Sequence, residues 1–276
     1  MKRYTFKSIV FIMLSWTWDV HGFIVKPVSP RMTPVLQMST TETDNPRIGG
    51  FGYELDNGTR KSHSMAENTK FVTGFFKGLS TKDSYASLLT SLYFVYLAME
   101  TCFDETKEET VTALDCKELR RLESLRCDLD YFYGPEWEAR VKPSQATIEY
   151  VARIQHVAEN KPYLLVAHQY TRYLGDLFGG QQMSGMATRS LKLEEGEGSA
   201  FYKFDEIKNV KEFINDYYLE LNQLDLTEVQ KQEIIDEANL VFAFNIDIFE
   251  ELDGSALGAV WTILFQSMKE KLGFKS

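Results

Sequence analysis

Apolar residues recur along most of this chain at every third or fourth position. Tyr85, Leu88, Leu89, Leu92, Tyr93 and Tyr96 share one face of a helix. The same period runs through Ile148, Val151 and Ala152, then through Leu164, Leu165, Ala167 and Tyr170. It returns at Phe213, Tyr217, Leu221 and Leu224, and again at Ile234, Ala238, Val241, Phe242, Asn245 and Phe249. Breaks fall at Gly134-Pro135, Pro143, Asn160-Lys161-Pro162, the acidic glycine loop from Glu194 to Ser199, Asp225 and Gly254. No segment alternates as a half-buried strand would. The pattern predicts an all-α fold, with one helical domain over residues 50–274. The last apolar stretch, Ala256 to Met268, is too short and too interrupted to span a bilayer.

The first 49 residues follow a different grammar. Residues 1–22 open with Lys2, Arg3 and Lys7, continue with the apolar run Ile9 to Leu14 and end at His21-Gly22, as a signal peptide does. Residues 23–49 begin at Phe23 with prolines, hydroxyls, Lys26 and Arg31, and carry no acid before Thr40, which suits a transit peptide and linker. An ordinary secreted protein is the competing reading. The three cysteines, Cys102, Cys116 and Cys127, count against it, because they form no plausible disulfide set.

Charge sharpens the division. The chain carries a formal net charge of −10. Residues 1–40 hold five bases and one acid, which leaves the remainder at −14. An acidic body with no basic stripe excludes nucleic acid as a main partner.

Two clusters can carry chemistry. Outside the leader the histidines are His63, His156 and His168. His63 has Glu67 at i+4, where a carboxylate can fix the ring tautomer and prepare a metal ligand; such pairs also occur on solvated helix faces. The second cluster is Tyr170-Thr-Arg172-Tyr-Leu-Gly175-Asp176-Leu-Phe178-Gly179-Gly180-Gln181. Three glycines in six helical residues cost about 1 kcal/mol each relative to alanine. They imply a bend, a close helix crossing, or a backbone lying against something large and flat. Asp176 makes a simple crossing less natural, since a buried carboxylate needs partners, and Arg172 stands at i−4 to provide one.

These segments resemble heme oxygenases of the cyanobacterial and plastid type. Gly58-Thr-Arg60-Lys-Ser-His63-Ser-Met-Ala-Glu67-Asn68 is similar to the proximal helix of that family. The run from Leu164 to Gln181 is similar to its distal helix. Ser91 to Tyr96, Asp130 to Trp137 and Phe244 to Glu251 match in order, so the resemblance extends from Gly58 to about Met268. It implies heme b held between two helices, with His63 as iron ligand and Glu67 behind it. Gly175, Gly179 and Gly180 would lie against the porphyrin, with Arg60 and Tyr170 at its carboxylates. Asp176 would hold a water that supplies a proton during oxygen activation, within a network of Tyr96, Tyr150, Arg172 and Asn245. The implied reaction takes heme and O2 to biliverdin, ferrous iron and carbon monoxide in a monomer, with ferredoxin as electron donor. The leader resembles those of algae with complex plastids, which implies a plastid location.

The chain also departs from the family. Three positions where the family places bases for the heme propionates are Asp56, Ile214 and Tyr218 here, and Phe178 replaces a small residue. Lys208 and Lys211 are possible substitutes for the lost bases. The alternative function is a heme-binding or structural paralogue without turnover. A di-iron oxidase would need paired E-x-x-H helices, and no E-x-x-H occurs.

Overall fold

The computed structural model describes residues 45–78, 80–194 and 196–253. The expected signal segment 1–22, most of the expected transit segment, and Ala256–Met268 lie outside the described residues. Among the described residues the chain is helical and contains no strand.

Ten α-helices succeed one another among the described residues. They are α1 (Gly50–Glu67), α2 (Lys70–Phe76), α3 (Lys82–Glu105), α4 (Glu109–Ala113) and α5 (Leu122–Tyr133). After these come α6 (Gln145–Asn160), α7 (Leu165–Gln169), α8 (Gly175–Leu191), α9 (Val210–Gln223) and α10 (Glu228–Leu252). A π-helical turn, Tyr170–Leu174, joins α7 to α8 without a break.

Local chemistry fixes where the helices start and stop. Thr81 and Ser84 form a reciprocal cap at the head of α3, and Thr227 with Gln230 does the same for α10. Ser144 and Asn209 cap α6 and α9. Gly134, at φ 72°, ends α5 in a backbone region open to glycine at no steric cost.

Two long helices carry the core. The apolar face read from Tyr85 to Tyr96 is buried along α3, together with Val95 and Met99. By length and composition α3 could cross a bilayer, but most of its surface is spent on the protein interior. Helix α10 packs against α1, α6, α7 and the π turn, and so forms the spine on which both halves of the site rest. One buried ionic cluster pins it: Arg153 of α6 donates to Glu237 of α10 at 3.0 and 2.5 Å, and His168 of α7 lies 3.2 Å from the same carboxylate.

The body begins earlier than its first helix. Asn222 of α9 donates to the carbonyls of Pro46 and Gly49, and its own carbonyl accepts from the Gly52 amide. Residues 45–49, grouped with the linker on sequence grounds, are therefore docked on α9.

Candidate functional site

Helix α1 presents a functional face with a seven-residue spacing. Asp56 accepts a hydrogen bond from the Tyr170 hydroxyl, so this face of α1 looks toward the π turn. Residues i and i+7 lie on one face two turns apart, about 10 Å along the axis, which carries His63 on from Asp56 along the same side. The His63 side chain is 55% exposed, and its edge meets the ring of Phe242 on α10 at 5.5 Å. Glu67 lies 3.8 Å from the imidazole, on the expected face but beyond hydrogen-bond range. Burial holds the Glu67 carboxyl above its ordinary value, against the pull of His63.

The second part of the site is the π turn and α8. The extra residue in a π turn shifts the register of the downstream helix by about one residue, or about 100°. Tyr170 consequently aims at α1 while Asp176 aims inward at α3. A Cβ added at Gly175 or at Gly179 would meet nothing within 4 Å. The glycines therefore face open space, and the helix-crossing explanation does not hold for these two; Gly180 continues the helix beyond them. Below them lies a cavity of about 90 Å³ lined by Phe71, Leu88, Asp176, Met183, Tyr202 and Phe249. Phe249 stands seven residues after Phe242 on α10, so the floor beneath His63 continues to the floor beneath the glycines.

Asp176 is the centre of a buried network. Nη2 of Arg172 donates to both of its oxygens at 2.9 Å, and the Tyr96 hydroxyl donates to Oδ2. Nη1 of Arg172 donates to Asn245 at 2.6 Å, and the Asn245 amide donates to the Val241 carbonyl at 2.7 Å. Burial pushes the Asp176 carboxyl up, and Arg172, Tyr96 and Arg121 pull it back only in part. Tyr150 is fully buried, stacked on Phe244 at 5.2 Å and close to His168 at 5.7 Å. Its burial raises the phenol well above the ordinary value, with Arg172 opposing.

The heme oxygenase family model matches residues 50–251. The chain belongs to the heme oxygenase family. It is 43% identical over 219 residues to heme oxygenase 1 of Synechocystis, covering 79% of this chain and 91% of that protein. It is 42% identical over 224 residues to the heme oxygenase of Porphyra purpurea, covering 81% and 95%. The crystal structure of heme oxygenase-1 from Synechocystis in complex with heme superposes with a TM-score of 0.72, covering 80% of this chain and all of that one. The chain is thus an enzyme of the heme oxygenase family, and heme is the ligand its site has to accommodate.

The residues present fit that ligand. An exposed imidazole on α1, two glycines backing onto open space on α8 and aromatic rings along α10 suit a flat iron porphyrin.

At the end of the cleft the structure rearranges the expected anchors. Tyr170 and Tyr218 both donate to Asp56, the latter at 2.8 Å, and Ile214 is buried. Arg60 is exposed and turned to Asn57 of its own helix at 2.5 Å; it does not join Tyr170. Lys208 donates to the Asp205 carbonyl at 2.9 Å. Phe178 does not line the cavity beneath the glycines, and the Arg47 guanidinium lies 5.1 Å from the centre of its ring.

Three residues escape a reading of the sequence alone. Tyr202 lines the cavity from a short turn, Ala200–Tyr202, that has no helical period to betray it. Asp128 holds that turn, accepting from the amides of Ala200 and Phe201 at 2.7 and 2.8 Å. Arg47 comes from outside the motif blocks altogether, and nothing in the local sequence marks it.

Proposed function

We propose that this chain cleaves heme b oxidatively to biliverdin, ferrous iron and carbon monoxide, with O2 as oxidant and reduced ferredoxin as electron donor. The observation that carries the reading is the open glycine face of α8 above a cavity lined by Asp176, which Arg172 and Tyr96 hold, with His63 set against Phe242 of α10, the helix whose Phe249 lines the same cavity. Heme, when bound, supplies the iron at which oxygen is activated and is itself the molecule oxidised. His63 would ligate the iron through one ring nitrogen while Glu67, 3.8 Å from the ring, would orient the other. Gly175 and Gly179 let the backbone approach the ring face. Asp176 can hold a water on the distal side and pass protons at its carboxylate oxygens, because burial keeps its proton affinity above that of an ordinary carboxylate. All of these groups come from one chain, which suits a monomer.

Titrating hemin into the protein and then adding reduced ferredoxin in air tests this. An imidazole-ligated spectrum that depends on His63, followed by biliverdin, is the expected result. A His63→Ala protein with an unchanged spectrum would refute the ligand. Binding without turnover would favour the second reading, a heme-binding paralogue, which the Asp56 substitution motivates.

The same proposal places the enzyme in a plastid of an alga with a complex plastid. It rests on the signal-plus-transit pattern of residues 1–49. A fluorescent fusion of that segment staying outside plastids would remove this part.

A further inference from the structure

Helix α6 carries two apolar faces and buries one. Tyr150, Ile154 and Val157 face the core, whereas Ile148 is 47% exposed and Ala152 is exposed near it. Yet Ile148, Val151 and Ala152 keep a helical period, the mark of a face that packs against something. This second face forms one wall of a groove of about 720 Å³, and Phe94, Leu97 and Ala98 of α3 form the other. The groove shares no lining residue with the cavity beneath Gly175 and Gly179.

The two ends of the groove differ. Pro143 and Ile148 line it at the head of α6. At the far end Glu105 and Glu159 converge on Cys102, and their charges add to burial in holding that thiol above its ordinary value. Asp104 and Glu233 are paired with Arg120 and Lys161, but Glu105 and Glu159 have no ion-pair partner among the described residues. An apolar groove with an acidic end suits an amphipathic helix that carries its bases last.

The chain itself supplies such a sequence. Helix α10 runs antiparallel to α6: Arg153 meets Glu237, and the Ala146 amide donates to Glu251 at 3.3 Å. The chain therefore leaves α10 at the head of α6, where the groove opens. Gly254 follows, and beyond it Leu257, Val260, Trp261, Leu264 and Met268 stand at i, i+3, i+4, i+7 and i+11, with Lys269 and Lys271 after them. A reversal at Gly254 would set this stretch parallel to α6. As a helix, Ala256 to Met268 would cover about 20 Å, against about 16 Å along α6 from Ile148 to Glu159. The two lysines then arrive level with the two unpaired acids.

We propose that Ala256–Met268 docks as a helix in the groove between α3 and α6, with Lys269 and Lys271 set against Glu105 and Glu159. The segment completes the packing of the second face of α6 and covers Cys102.

Cys102 lies in the groove, so its thiol reports what covers it. In the full chain, iodoacetamide labelling is followed site by site by mass spectrometry, with exposed Cys127 and half-buried Cys116 as controls outside the groove. Trp261→Asp and Leu264→Asp should speed labelling of Cys102 about tenfold or more and leave both controls unchanged. A carbodiimide should join Lys269 or Lys271 to Glu105 or Glu159 within one chain, and the Glu105→Gln, Glu159→Gln double variant should lose these links. Equal Cys102 rates in parent and variants overturn the proposal. If all three cysteines speed up together, the variant has unfolded and the links in the parent decide; their absence overturns the proposal. Links found only between isotopically labelled and unlabelled copies also overturn it, and give the groove to a second copy. Adhesion to phosphatidylglycerol vesicles that Leu264→Asp abolishes, with Cys102 rates equal in both proteins, would assign the segment to a membrane surface instead.

Discussion

Asp176 and Glu237 are both buried carboxylates paired with an arginine, yet their acidities move in opposite directions. Burial raises both. At Glu237 hydrogen bonds from His168 and Arg153 more than offset it and hold the carboxyl below its ordinary value. At Asp176 the pull of Arg172 and Tyr96 falls short, and the carboxyl stays above it. A locked ion pair suits a structural joint, whereas a carboxylate poised to take a proton suits a distal site. Removing Asp176 outright would leave a buried guanidinium half paired, at a cost of about 3–5 kcal/mol, and would confuse stability with chemistry. Asp176→Asn keeps the shape and one acceptor. It should bind hemin with nearly parental affinity while biliverdin formation falls by about 100-fold or more, the usual contribution of a positioned proton carrier. Single-turnover assays on the hemin complex would check this, and an unchanged yield would remove the role.

Among the elements, the run from Leu165 to Leu191 is where helical period and tertiary packing diverge most. A glycine in a helix crossing loses stability when given a Cβ, because the neighbouring backbone must retreat. Gly175 and Gly179 have nothing within 4 Å of that position, so alanine there should stabilise the ligand-free protein by up to about 1 kcal/mol each through helix propensity. The same methyl would stand where the porphyrin face must lie, so hemin binding should weaken in both variants. Thermal melts with and without hemin read both effects at once, and a melting temperature that drops in the ligand-free variants would restore the crossing explanation. The glycine spacing and the i,i+4 pairing of Arg172 with Asp176 were legible in the sequence, because both are consequences of helical period. So were α3 and α10, whose apolar stripes fill the core; α6 was legible as a helix, but the stripe read on it fails, since Ile148 and Ala152 are exposed and Tyr150, Ile154 and Val157 are its buried face. The π turn was not legible, since no residue type demands it; Tyr170 within it and Asp176 beyond it are satisfied by different neighbours. Asp56 could be read only as a lost base, because its partners Tyr170 and Tyr218 lie 114 and 162 positions away. Arg47, Arg121 and Tyr202 likewise enter the site through tertiary packing that no local pattern announces.

Across the whole molecule, acidity and burial combine to set how stability varies with pH. The described body belongs to a segment carrying −14, whose self-repulsion weakens as acid is added. Asp128 acts in the same direction. It joins α5 to the turn that carries Tyr202, and burial raises its carboxyl from 3.8 to about 6 even though the Phe201 and Ala200 amides favour the charged form. A carboxyl that binds its proton more tightly folded than unfolded stabilises the fold below the unfolded value and loses that contribution as pH rises through the folded one. Stability should therefore fall between about pH 4 and pH 6 and then level off, with Asp128 contributing at most about 3 kcal/mol. Glu237 cannot mask the effect, because its carboxyl lies below the ordinary value and its contribution fails only at still lower pH. Urea melts of the ligand-free protein across this range should show the decline in the parent and a flatter profile in Asp128→Asn. An equally steep profile in the variant would assign the slope to net charge and to the other raised carboxyls, Asp176, Glu67 and Glu100.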